Sequence, residues 1–166
     1  MPERKTLKRA RRDKSEGKAA TTQAGEFVRE EIEHIRAGKH GARSAAQAIA
    51  IGLSKARRAG VDLPPPEKGK APEETRRNAQ RALQAADRPK SKPSPARSRA
   101  TVSALRRESP AAASELALKR HAKAAARQHT AAERSNAARK AVQTKGPAER
   151  SAAARKAAQT RARAKA

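Results

Sequence analysis

The chain has 166 residues, of which 41 are Lys or Arg and 16 are Asp or Glu, giving a formal charge of +25 at neutral pH. It has no cysteine, tryptophan or tyrosine and one phenylalanine. That composition excludes disulfides, thiol nucleophiles, cysteine-based zinc sites and the aromatic stacking platforms of single-strand and RNA-recognition modules. Leu, Ile, Val and Phe together number sixteen, about a tenth of the chain, where a high net charge accompanies disorder below roughly a fifth.

Residues 1–23 carry eight bases and three acids, a charge of +5, and read as a basic disordered arm. No apolar run opens the chain, and nowhere do ~18 uncharged apolar residues follow one another, so neither a signal peptide nor membrane insertion is expected.

Residues 24–66 hold nine of the sixteen large apolar residues. From Gly25 to Ala37, Val28, Ile32 and Ile35 recur at helical spacing, with Glu26, Glu30 and Glu33 placed away from that stripe. Phe27 reads as a core residue. Gly38 stops the helix, and Gly38-Lys39-His40-Gly41 forms a short turn. Ser44 to Gln47 is a capping-box pattern, opening a second helix from about Ala45 to Ala59 that Gly60 closes. Ala45, Ile49, Gly52, Leu53 and Ala56 share one of its faces, and Ser44, Gln47, Ser54, Lys55 and Arg58 share the other.

Two such helices predict an antiparallel hairpin in which Gly52 lets the backbones approach closely, ended by Pro64-Pro65-Pro66. A pair this small is marginal alone. Ile51, stranded on the polar side, therefore points to self-association, a homodimer through the hairpin, and the lack of an evident third, bracing helix counts against a helix-turn-helix.

Residues 67–108 predict a helix from Pro72 to Ala86, acidic in its first turn as the macrodipole prefers, followed by an extended linker over Arg88 to Pro95. In residues 109–166, Ser109-Pro110 predicts the start of an alanine-rich helix running toward Arg127, with Leu116 and Leu118 as its apolar anchors. An internal repeat closes the chain: residues 133–144 recur as 149–160 with ten of twelve positions identical, separated by Lys145-Gly146-Pro147. The expected fold is mainly α, with a short antiparallel hairpin at about 25–60 flanked by disordered or conditionally helical basic arms.

No phosphate-cradling loop, nucleophile elbow or zinc-protease helix motif occurs, so an enzyme is not expected and no cofactor is implied. His34, His40, His121 and His129 lack the spacing that puts two on one helical turn, so they read as surface histidines and no metal is expected. The charge instead points to a polyanion, DNA first, with RNA as the alternative ligand. Arg43, Lys55, Arg57 and Arg58 are placed at the edge of the hairpin that meets phosphates, with the first helix turning its glutamates outward. In the tail, the candidate phosphate contacts are Arg134, Arg139 and Lys140 in the first repeat. Arg150, Arg155, Lys156, Arg161 and Arg163 follow in and after the second. Engagement of ten such cations predicts a slope of roughly −9 for log K against log salt. Arginine outnumbers lysine 25 to 16, which predicts a mild preference for narrow A·T minor grooves. Two further readings stay open: a sequence-specific regulator using helix 45–59, with Gln47, Ile51, Ser54, Lys55 and Arg58 in the major groove, and a hairpin that binds another protein.

Three stretches, Gly25-Glu-Phe-Val-Arg-Glu-Glu-Ile32, Gly38-Lys-His-Gly-Ala-Arg-Ser44 and Gln47-Ala-Ile-Ala-Ile-Gly-Leu-Ser-Lys-Ala-Arg-Arg-Ala-Gly-Val61, carry a resemblance. With the later Ser-x-Ala-Ala-Arg-Lys-Ala repeats, the chain resembles a family of small, basic, uncharacterised bacterial proteins often described as DNA-binding, and its Ala/Lys/Arg-rich tail is similar to histone H1-like tails. The resemblance implies a bacterial source and a place in the cytoplasm at the nucleoid. It supplies no catalytic or binding residues.

Overall fold

A computed structural model describes residues 2–86, 94–144 and 146–163. The linker expected over Arg88 to Pro95 lies outside them except for Ser94 and Pro95. The described residues form α-helices α1 (Arg4–Ser15), α2 (Ala20–Arg36), α3 (Ala45–Arg58), α4 (Glu73–Gln84), α5 (Pro95–Arg106), α6 (Glu115–Arg127), α7 (Ala131–Thr144) and α8 (Pro147–Arg163). A 3₁₀ turn, Pro110–Ala113, precedes α6. The chain divides into two units, residues 1–121 and 122–166.

In the first unit, α2 and α3 form the hairpin. The close approach rests on Gly52: a Cβ there would stand 2.7 Å from Val28 Cα. Ser44 caps α3 by accepting from Gln47 N–H at 3.2 Å, and the Gln47 side chain accepts from Arg43 N–H at 2.7 Å. The reciprocal bond thus lands one residue ahead of the cap itself. Helices α1, α2 and α3 all end alike, with glycines at φ +69°, +69° and +87°. In each, the glycine N–H and the next N–H bond back to the last turn, as from Gly38 to Ile35 O and from Lys39 to His34 O, both at 3.0 Å. Such a left-handed closure costs other residues strain that glycine avoids.

The hairpin is braced at both ends, contrary to the expectation of no third element. At one end, Ala10 of α1 joins Ala24, Phe27, Ala56, Val61 and Leu63 in a cluster that Leu7, Ala20 and Leu53 flank. The segment expected as a disordered arm is therefore helix α1 over Arg4–Ser15. Thr6, Ala10 and Asp13, at i, i+4 and i+7, turn inward against α2. Small side chains let it sit close. Burying Phe27 completely contributes about 1.5–3 kcal/mol.

At the other end, Ala112 and Ala113 of the 3₁₀ turn pack with Ile32, Ile35, Ala42 and Ala48, and Val28 and Leu118 flank them. Backbone bonds fix this contact: Gly41 N–H donates to Leu105 O at 2.8 Å and Ala42 N–H to Ser109 O at 3.2 Å. Arg36 Nε donates to Ala113 O at 2.9 Å. The alanine-rich helix expected from Ser109 is consequently split. Ser109 Oγ accepts from Ala111 N–H at 3.1 Å at the 3₁₀ turn, and Ser114 Oγ caps α6 by accepting from Ala117 N–H at 3.2 Å.

Helix α4, acidic at Glu73 and Glu74 as expected, packs on α3. Ala79 and Ala82 are its buried residues. Between α3, α4 and α5 runs a groove of about 460 Å³ lined by Gln47, Ile51, Ser54, Arg58, Asn78 and Leu105, among others. Ile51, expected to be stranded, is half-buried in it.

In the second unit, α7 and α8 carry the two repeats. A complete capping box opens α7: Glu133 N–H donates to Thr130 Oγ1 at 3.1 Å, and Thr130 N–H to Glu133 Oε2 at 2.8 Å. Pro147 takes the first position of α8, where its missing N–H costs nothing. Helix α8 has no buried residue.

Candidate nucleic-acid interface

The cations fall into those the fold uses and those it leaves exposed. Lys55 is of the first kind. Its ammonium bonds to Glu31 Oε2 and stands 3.7 Å from Glu30 Oε1. Glu31 is 1% exposed and Glu30 3%. The expectation that α2 turns its glutamates outward is corrected here: Glu30 and Glu31 are buried at the contact with α3, because Lys55 meets them there. Glu30 Oε2 also accepts from Glu3 N–H at 3.1 Å.

Arg57 is likewise turned inward, 6% exposed. Its Nε donates to Leu63 O and its Nη2 to Pro64 O, both at 3.0 Å. Burial lowers its pKa from the usual arginine value. Its role is to satisfy two carbonyls of the segment that leads into the triple proline. Arg57 and Lys55 therefore do not offer the phosphate contacts expected of them; of the four hairpin cations, Arg43 and Arg58 are exposed.

Helix α1 supplies what the sequence reading missed. Arg4, Lys8 and Arg11, at i, i+4 and i+7, form one stripe opposite the buried Thr6, Ala10 and Asp13. Lys5 and Arg12 flank it. Among the described residues Arg4, Lys5, Lys8, Arg11 and Lys14 have no acidic partner. The acids nearby are spent elsewhere: Asp13 and Glu16 hold Lys18 at 2.8 and 2.7 Å, and Glu26 meets Arg9 and Arg29, each at 3.5 Å. The hydrogen bonds that Lys18 donates to Asp13 and then to Glu16 raise its pKa above its ordinary value. The periodicity of Thr6, Ala10 and Asp13 ahead of Gly17 was the available signal, weak because only Leu7 is a large apolar residue.

Arg134, Arg139, Lys140, Arg150, Arg155, Lys156, Arg161 and Arg163 are all exposed on α7 and α8. At 100° per residue, Arg150 and Arg161 share one side of α8, Arg155 a second, and Lys156 and Arg163 a third. A helix charged on every side has no face to bury in its own protein. It can meet phosphate with any of them.

The α3 face that a sequence-specific reader would present is the one lining the groove with α4 and α5. Near the end of α2, Glu3 accepts from His34 Nε2 at 2.8 Å and from Lys39 Nζ at 3.2 Å. Those hydrogen bonds, first His34 and then Lys39, hold its carboxylate below the ordinary value. No described helix is long and apolar enough to cross a membrane.

Residues 8–68 match the model of a family of unknown function (DUF6496), so the hairpin with most of α1 is similar to an uncharacterised domain. No curated protein and no solved structure matches the chain.

Proposed function

We propose that the protein is a non-enzymatic nucleic-acid-binding protein that coats duplex DNA through Lys and Arg contacts to phosphate, without strong sequence preference, and compacts the bacterial nucleoid. The observation that carries this reading is the separation of cations. Lys55, Arg57 and Lys18 are held by the fold, while the α1 stripe and the cations of α7 and α8 are exposed. Exposed guanidinium and ammonium groups release condensed counterions when they neutralise phosphates, which drives sequence-independent binding.

The alternative of a sequence-specific regulator is disfavoured by the groove, because α4 and α5 stand against the α3 residues it would need. RNA satisfies the same charge chemistry. The test is fluorescence anisotropy of the full-length chain with duplex DNA over a salt series, repeated with structured RNA as competitor. The expected result is a linear log K against log salt, with a slope of roughly −9 for ten contacts. Tenfold preference for RNA would transfer the reading to RNA, and failure to bind either polymer at physiological salt would end it.

A further inference from the structure

We propose that Glu31, His34 and His40 bind a divalent transition-metal ion of the zinc class. Glu31 and His34 lie three residues apart on one face of α2. The left-handed turn at Gly38 then reverses the chain and brings His40 back over the end of that helix. One ligand atom from each of the three residues lies within 4.8 Å of the others. Two ligand atoms on one tetrahedral zinc stand about 3.4 Å apart, so small torsional adjustments close the set.

The surroundings are those of a built site. Glu31 is buried, and Lys55 holds its Oε2, leaving Oε1 to face the histidines. His40 Nδ1 lies 3.1 Å from Gly41 O, a bond that it makes as donor. That bond fixes the tautomer and leaves the lone pair on Nε2. Nε2 stands 3.4 Å from Glu31 Oε1, so two electron-rich atoms face each other unless a cation joins them. A metal ion is such a cation. The two rings meet edge to face, centroids 6.3 Å apart, which lets both direct a nitrogen to a common point. Side-chain exposures of 16% for His34 and 15% for His40 correct their reading as surface histidines.

Two imidazoles and one carboxylate suit Zn²⁺, Co²⁺ or Ni²⁺ and not the hard ions Mg²⁺ or Ca²⁺. With three protein ligands, a fourth position stays open to water, while the Glu3 carboxylate, accepting from His34 Nε2, orients that ring and leaves its Nδ1 as the ligand atom. A bound ion would tie the end of α2 to the turn on which α5 and the 3₁₀ turn dock.

The experiment is calorimetric titration of the chelator-stripped, full-length protein with ZnCl₂, with Co²⁺ absorption as a second readout. One equivalent should bind, unaffected by excess Mg²⁺. His34→Gln and His40→Gln should each weaken binding tenfold or more, and the double variant His121→Gln/His129→Gln should not. Should the single variants lose their helical circular dichroism, the imidazole NMR signals of the unaltered protein decide. Zinc must then shift those of His34 and His40 and leave His121 and His129 in place. No saturable Zn²⁺ binding, or binding that follows His121 and His129, would overturn the proposal.

Discussion

Gly41 shows how much one missing side chain decides. A Cβ there would fall 1.9 Å from Glu108 O and 2.9 Å from Ser109 O, and backbone atoms cannot rotate away. Gly41→Ala should cost about 1–3 kcal/mol, measured by urea unfolding, because the Glu108–Ser109 segment must lift off the hairpin turn. Gly25 is the opposite case. It occupies an exposed position of α2 with nothing within 4 Å of a Cβ, so Gly25→Ala should stabilise by about 0.5–1 kcal/mol in the same assay. Lys18 gives a pH signature. Its folded pKa lies above the ordinary 10.5, so its contribution is complete below that value and lost as pH rises through the folded one. The melting temperature of Lys18→Met should fall below that of the unaltered chain at neutral pH, and the two should converge in strongly alkaline buffer.

Among the helices, α1 and α3 make opposite use of basic residues, and this separates affinity from stability. Replacing Arg4, Lys8 and Arg11 by Gln should flatten the salt slope for duplex DNA by about 3, with urea unfolding little changed. Arg57→Ala should leave the slope alone and destabilise the hairpin by about 1.5–3 kcal/mol, since two carbonyls lose a charged donor. The hairpin itself was legible because Val28, Ile32 and Ile35 repeat at helical spacing and Ser44 and Gln47 announce the next helix. Helix α1 was not, because alanine, threonine and aspartate on its inner face leave no hydrophobic period. Burial of Glu30 and Glu31 was hidden for a different reason. A glutamate placed off the apolar stripe reads as solvated until a partner such as Lys55 is known to arrive from another helix. His40 escaped notice similarly, since its approach to His34 depends on a chain reversal and not on helical spacing.

Among the described residues, the core is confined to the first unit and the repeats of the second have no buried face. Substituting Arg139, Lys140, Arg155 and Lys156 by Gln should therefore reduce the magnitude of the salt slope by roughly 3–4 and leave the unfolding midpoint of the core in place. An unchanged slope would remove the repeats from the interface. The repeat was plain in the sequence, as was its charge; that its cations circle each helix follows from their spacing and needs no tertiary information.

The contact between Arg36 and Ala113 joins groups 77 positions apart. A ribosome would finish the hairpin well before it had made the alanines that close over it. Closing so long a loop is entropically slow, so during synthesis the turn at Gly41 waits uncovered. Until that late strap docks, the nascent chain lies open to proteases or chaperones at the hairpin turn, and its arrival ends the exposure.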